Sequence, residues 1–340
     1  MSRSLLLLLA LVWVIPATAR PDIKEGNALL TRRQYIEAAR VFLQLAEAGN
    51  AVAQNNLATL MYKGLGIPQQ KAAARDWFLK AAAQGLRGAQ YNLGLMSLRG
   101  DGVPQDYAQA ADWFRKAAGQ GHTRAQFYLA LRYYHGQGVA QNDFQAAQWF
   151  RRAAEGGHRE AQYNLGLMYL EGVGVDADTD QARKWFLKAA AQGDPKAEFN
   201  LGSLYLDAQG VGRDPEVAAD WFRKAASQGM ARAQLNLGVL YAQGSGMQQD
   251  YLQAGDWFRK AAMQGLADAQ FNLGLLYYQG LGVDKDQAEA HAWFELAAEQ
   301  GYKPARENIG VLEQDMDDQT RQRAQELISG YRQQIPRRGE

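Results

Sequence analysis

The sequence predicts an all-α solenoid of stacked helical hairpins, and three observations predict it. Tryptophan recurs at Trp77, Trp113, Trp149, Trp185, Trp221, Trp257 and Trp293, a spacing of 36 residues without insertion. Each is followed by Phe, from Phe78 to Phe294, then by an Ala-Ala pair and a glycine such as Gly85, Gly121 or Gly301. A second half-motif, A-Q-Y-N-L-G-x-x-Y, alternates with the first and is plainest at Ala89 to Gly94, Ala161 to Gly166 and Ala233 to Gly238. A fixed period of this length means units that cannot bury their apolar faces alone and must stack.

The first residues predict an export leader. Arg3 supplies a short positive region, Leu5 to Ile15 is unbroken apolar sequence, and Ala17-Thr18-Ala19 is an A-x-A cleavage site. The apolar run is too short for a membrane span, which needs roughly 20 residues. The expected products are a signal peptide over 1–19, cleaved after Ala19, and a periplasmic or secreted mature chain with no membrane span. Lys and Arg number 37 against 36 Asp and Glu, and Arg3 would leave with the leader. An electrically balanced chain lacks the basic footprint of a general nucleic-acid binder.

Residues 20–50 follow as an N-terminal tetratricopeptide-like cap, with Gly26, Tyr35, Ala38 and Phe42 at hairpin spacing. Seven 36-residue units occupy 51–302. In each, the A-Q-Y-N-L-G half forms helix A, and a G-x-G-V link such as Gly100-Asp101-Gly102-Val103 stops it, because paired glycines allow left-handed backbone. The W-F half forms helix B. Asp106, Asn142, Asp178, Asp250 and Asp286 each have Gln or Glu three residues on, the pattern of a capping box, and Asp214 precedes Pro215. Asp76, Asp112, Asp220 and Asp256 stand four residues before Lys80, Lys116, Lys224 and Lys260, where exposed ion pairs are expected. Residues 303–334 supply an eighth A helix and a last helix with Ala324, Leu327, Ile328 and Tyr331 on one face. A tail covers 335–340.

With its A-Q-Y-N-L-G-x-x-Y, G-x-G-V and D-W-F-x-K-A-A-x-x-G segments, the unit resembles the Sel-one-like repeat (SLR) of the tetratricopeptide-like superfamily, in its secreted bacterial form. The resemblance implies right-handed stacking with the A helices on the concave side, and an adaptor or scaffold role. Some secreted relatives are cysteine-rich and associated with penicillin binding. This chain has no cysteine, so that association transfers poorly.

The residues of enzyme chemistry are not arranged for it. Ser97, Ser203, Ser227, Ser245 and Ser329 head no S-x-x-K and sit in no G-x-S-x-G. The glycine pairs lie between helices and lack a following G-K-[ST], so they are not phosphate loops. His122 and His158 occupy equivalent positions one unit apart, with Asp194 third in the series, and read as loop and cap residues. No catalytic residue, metal site or cofactor is expected. The Trp-Phe pairs read as inter-hairpin core in preference to a ligand-stacking ladder.

Binding is then sought where the units differ. On helix A the positions of Ala53, Leu57, Ala58, Leu60 and Met61 are commonly apolar, whereas those of Val52, Asn55, Asn56, Thr59, Tyr62 and Lys63 include the candidates for the concave side. The Asn56 position carries Asn92, Asn164, Asn200, Asn236, Asn272 and Asn308, broken only by Tyr128. Such a ladder fits either a peptide backbone or the scaffold's own polar groups, and both readings stand. The Asn55 position carries Tyr91, Phe127, Tyr163, Phe199, Leu235 and Phe271, a mostly aromatic row open between core and groove lining. The Lys63 position runs Arg99, His135, Glu171 and Asp207, changing sign along the stack. The third unit departs furthest: Arg124, Tyr128, Arg132, Tyr134 and His135 concentrate the residue types found in binding hot spots.

The ligand-groove set is therefore Arg99, Arg124, Phe127, Tyr128, Arg132, Tyr134 and His135, with Asn92, Asn164 and Tyr163. The expected function is a non-enzymatic periplasmic scaffold taking a protein segment of the cell envelope in its concave groove, in assembly or regulation of an envelope complex. Peptidoglycan or glycan binding is the alternative. A penicillin-recognising hydrolase is third and lacks its motif.

Overall fold

The computed structural model describes residues 22–207 and 212–336. The expected leader, the expected start of the mature chain at Arg20 and residues 337–340 of the tail lie outside the described residues. Among those described there are eighteen helices and no strand. None of these helices is long and apolar enough to cross a membrane.

The chain divides into two compact units after Trp149. The first holds α1 (Ile23–Thr31), α2 (Tyr35–Glu47), α3 (Ala51–Lys63), α4 (Lys71–Ala83), α5 (Arg87–Arg99), α6 (Tyr107–Gly119) and α7 (Thr123–His135). The division falls within α8 (Asp143–Glu155). The second unit holds α9 (Arg159–Glu171), α10 (Thr179–Ala190), α11 (Pro195–Leu206), α12 (Pro215–Ser227), α13 (Ala231–Gln243), α14 (Tyr251–Ala262), α15 (Ala267–Gln279), α16 (Gln287–Glu299), α17 (Lys303–Leu312) and α18 (Asp318–Gln334). Helices of odd number from α3 to α15 are the A helices and those of even number from α4 to α16 the B helices.

The glycine pair of the link does two different things. Gly64 ends α3 in the left-handed region at φ 68°, which frees the last carbonyls to be closed by the turn. Gly66, at φ 70°, lies so close to the start of α2 that an added Cβ would stand 2.7 Å from the Ile36 nitrogen. One glycine turns the chain and the next lets successive hairpins touch.

At the start of helix B only half of the expected capping box forms. Asp106 Oδ1 accepts from the Gln109 N–H at 2.9 Å, but the Asp106 N–H donates to the Ser97 carbonyl at 2.9 Å and not to the Gln109 side chain. Gln109 instead accepts from the Ser97 hydroxyl at 2.7 Å. Helix B is thus capped by its own Asp and tied to helix A of its hairpin by the same residue.

Within a hairpin the A-helix glycine receives the B-helix phenylalanine. A Cβ at Gly94 would lie 2.6 Å from the Phe114 ring, and one at Gly166 2.6 Å from Phe186. Between hairpins the clamp is the motif glutamine. Gln54 donates to the Ala46 carbonyl of α2 at 3.1 Å and accepts from Gln84, which follows α4, at 2.8 Å. Gln162 and Gln234 do the same in the second unit, donating to Ala154 and Ala226 and accepting from Gln192 and Gln264. Each buried amide is satisfied on both sides, as buried polar groups must be.

Trp113 packs onto the cluster built by α2 to α5, and Trp221 onto that built by α10 and α11, so each meets the B helix of the preceding hairpin together with the A helix of its own. The expected ion pairs at four-residue spacing do not form. Lys80 and Lys116 lie over Trp77 and Trp113 with Nζ 3.9 and 4.3 Å from the ring centres, and Lys188, Lys224 and Lys260 cover Trp185, Trp221 and Trp257. Asp112 and Asp220 pair instead with Arg115 and Arg223, three residues on. A lysine one turn from a half-buried indole is drawn to the π face, and its alkyl stem covers apolar surface the aspartate cannot.

At the C-terminal end the Tyr331 ring of α18 lies 4.2 Å from that of Trp293. Glu289 accepts from the Trp293 indole N–H at 3.1 Å and from the Tyr331 hydroxyl at 2.9 Å. Burial, with Glu289 second, pushes the Tyr331 phenol far above its ordinary range.

Candidate ligand groove

In the first unit, residues of α3, α5 and α7, with Phe78 of α4, surround one cleft of about 490 Å³. Its cations are Lys63 and Arg99, each the last residue of its helix, and Arg124, in the first turn of α7. Its phenols are Tyr62, Tyr91 and Tyr128, and Phe78, Leu95 and Met96 line its apolar part. No carboxylate lines it.

The phenols are held by packing. Tyr128, where sibling units have Asn, stacks on Phe114 with centres 5.2 Å apart, and Tyr91 lies 6.0 Å from Tyr128. Tyr91 also stacks on His122 at 4.5 Å, and burial raises its pKa. His122 caps α7, accepting from the Ala125 N–H at 3.2 Å. Burial, then the positive charge of Arg87, lowers its pKa, consistent with a neutral ring whose Nδ1 accepts. Arg99 lies beside the Tyr62 hydroxyl, which raises the guanidinium's pKa.

The cleft brings together Arg99, Arg124, Tyr128 and Asn92 from the sequence-derived set. It does not contain Arg132. That side chain is buried at 7% exposure, with its guanidinium 5.5 Å from the Tyr107 ring and Nε without a hydrogen-bond partner. Position 132 is the one filled by buried Leu60 and Met96 in the preceding hairpins, so helix geometry turns it inward whatever residue it carries. Phe127 packs edge-on to Tyr128 at 5.7 Å, and Tyr134 edge-on to exposed His135 at 5.1 Å; none of the three lines the cleft. Tyr62, Lys63 and Tyr91 belong to the cleft but not to that set. Their signal was available, since Lys63 precedes Arg99 at the same position of the repeat.

The asparagine ladder is largely occupied by the scaffold. Asn92 donates to Asn55 Oδ1 at 3.1 Å and Asn56 to Asn27 Oδ1 at 3.1 Å. In the second unit Asn164 donates to the Glu160 carbonyl at 2.7 Å and Asn308 to the Pro304 carbonyl at 2.9 Å. The aromatic row is likewise packed on helix B, Tyr163 on Phe186 at 6.0 Å and Phe199 on Phe222 at 5.6 Å. There the positions of Lys63 and Arg99 hold exposed Glu171 and Asp207, so the cationic cleft belongs to the first unit. Among the described residues no group of three or more His, Asp or Glu could hold a metal ion.

Stacked helix pairs presenting a cleft between successive A helices define an α-solenoid of the interaction-scaffold class. The chain belongs to the Sel1 repeat family, whose model matches residues 51–86, 88–122, 123–158, 159–194, 195–230, 231–266 and 267–302. It is similar to a Sel1 repeat protein of Oxalobacter formigenes at 34% identity, over 86% of this chain and 88% of that one, with a TM-score of 0.66. It is also similar to a protective antigen of uropathogenic Escherichia coli strains displaying an SLR fold, at 30% identity over 92% and 84% of the two chains, TM-score 0.54. No curated protein matches it. Scaffolds of this type serve protein–protein interaction and are generally not enzymes.

Proposed function

We propose that this chain is a periplasmic or secreted scaffold that binds a protein segment along its A-helix face, and that the cleft of α3, α5 and α7 is its principal contact. The observation that carries the reading is convergence: residues scattered over three consecutive repeats meet around one opening of about 490 Å³, a size ordinary for ligand sites. Aromatic and Arg side chains of this kind dominate interface energetics. The envelope location rests on the leader sequence up to Ala19, and assembly or regulation of an envelope complex is part of the same proposal.

Peptide and glycan arrays probed with the purified protein test this reading. Signal on peptides and none on peptidoglycan fragments is the expected result, and the reverse would replace the protein segment by a glycan. Intact-mass analysis of the protein recovered from the periplasm tests the leader: a chain beginning at Arg20 is expected, and one retaining Leu5 to Ile15 would remove the export part of the proposal.

A further inference from the structure

We infer that the cleft of α3, α5 and α7 is specific for an acidic peptide segment carrying an apolar residue between its carboxylates; this rests on the reading of the chain as a binder of protein segments. Lys63, Arg99 and Arg124 place three positive charges around one opening without a lining carboxylate. None of the ion pairs found among the described residues engages any of the three. The nearby Asp101 is already taken: its carboxylate accepts from Lys71 and from the Tyr62 hydroxyl.

Like charges gathered in a cleft with low-dielectric walls repel one another and focus the field that draws an anion in. Two of them are forked guanidinium groups, which match carboxylate geometry. The apolar part formed by Phe78, Leu95 and Met96 has nothing to offer a bare phosphate ion, and it fits a leucine-sized side chain set among the carboxylates. A nucleic acid or an anionic bilayer would require a long basic track, and the chain has 37 basic against 36 acidic residues. The equivalent positions of the second unit, Glu171 and Asp207, carry the opposite charge and have no use for such a segment.

Fluorescein-labelled heptapeptides with a central Leu flanked by Glu and Asp, by Gln, or by Lys distinguish the possibilities when titrated into the full chain and followed by anisotropy. The acidic peptide is expected to bind at least tenfold more tightly than the Gln version, to weaken as salt rises from about 50 to 300 mM through screening, and to lose at least tenfold affinity in Arg99→Ala/Arg124→Ala. Both arginines are exposed, so the variant should keep the wild-type melting curve, and Glu171→Ala serves as a matched surface change with unaltered binding. Equal affinity for the acidic and Gln peptides, or full affinity in the double variant, overturns the inference. So does binding of inorganic phosphate, single-stranded DNA or phosphatidylglycerol vesicles without the acidic peptide. Peptide binding indifferent to charge would sink acidic specificity alone, whereas glycan binding without peptide binding would sink the proposed function with it.

Discussion

The Tyr62 hydroxyl donates a hydrogen bond to the Asp101 carboxylate, joining the end of α3 to the glycine link that follows α5. Lys71 Nζ lies 2.5 Å from the other oxygen of the same carboxylate. Arg99 stands against the same phenol, so the Asp101 carboxylate positions a cation of the cleft through Tyr62.

From that relay, Tyr62→Phe is predicted to weaken the first unit by about 1.5 to 3 kcal/mol, the loss typical of a hydrogen bond to a charged group. The Lys71 bond, and after it the Tyr62 hydroxyl, hold the Asp101 carboxyl below its ordinary range. A depressed folded pKa gives stability that is complete above the unfolded value of about 3.9 and is lost as pH falls through the folded one. Asp101→Asn should therefore be less stable than wild type at pH 7 and converge with it in acid. Urea unfolding at pH 7 and pH 3 measures both, and a constant gap between the two proteins would refute the relay.

A methyl group at Gly166 has no room beside Phe186. Alanine would gain up to about 1 kcal/mol of helix propensity, but the ring must move within a packed core, which typically costs about 1 to 3 kcal/mol. Gly166→Ala is predicted to lower the melting temperature. Gly330→Ala in α18, where a Cβ meets nothing within 4 Å, is predicted to raise it. Both variants shifting the same way would show that propensity, not the Phe contact, decides.

Arg132→Leu is predicted to stabilise the first unit by about 1 to 3 kcal/mol, because a desolvated cation with no carboxylate partner gives way to the side chain its position otherwise holds. Burial lowers the guanidinium's pKa, against smaller opposing contributions from Tyr107 and Tyr128. Anisotropy with the acidic heptapeptide should be unchanged, since Arg132 does not line the cleft. A loss of stability would mean that its stacking on Tyr107 outweighs its desolvation.

The period, the two helices of each unit and their glycine stops were legible because each follows from local chemistry repeated at one spacing. What escaped was direction. A comparison of units shows that Arg132 and His135 differ from their siblings, but whether a different residue faces solvent depends on its helical angle, and the apolar company of position 132 was the available clue. The lysines show the same limit: three- and four-residue spacings both bring side chains together, and only packing shows that Lys116 covers Trp113 instead of meeting Asp112. Tyr62 and Lys63 stood among the concave-side positions but outside the groove set because their repeat is ordinary; they matter through the company of Arg99 and Arg124, 36 and 61 residues beyond Lys63.

Glu198 stands in α11 where the neighbouring repeats have the clamping glutamine. It is buried and accepts from Gln228 at 2.8 Å, but an ionised carboxylate cannot repeat the donation that Gln162 and Gln234 make to a carbonyl eight residues earlier. Burial is the main cause of its raised pKa; Asp194 adds to it, while Gln228 and Lys224 oppose it. A carboxyl with a folded pKa above the unfolded value of about 4.3 is a burden when charged. Its penalty is full above the folded pKa and is relieved as pH falls through it, because the folded state then binds the extra proton. Glu198→Gln is therefore predicted to stabilise the second unit by about 1 to 2 kcal/mol at pH 8 by restoring the buried donor, and the advantage should shrink at pH 5. Comparing urea midpoints of the two proteins at both pH values cancels the titration of every other group, and an advantage that grows on acidification would show that Glu198 is stabilised in its charged form.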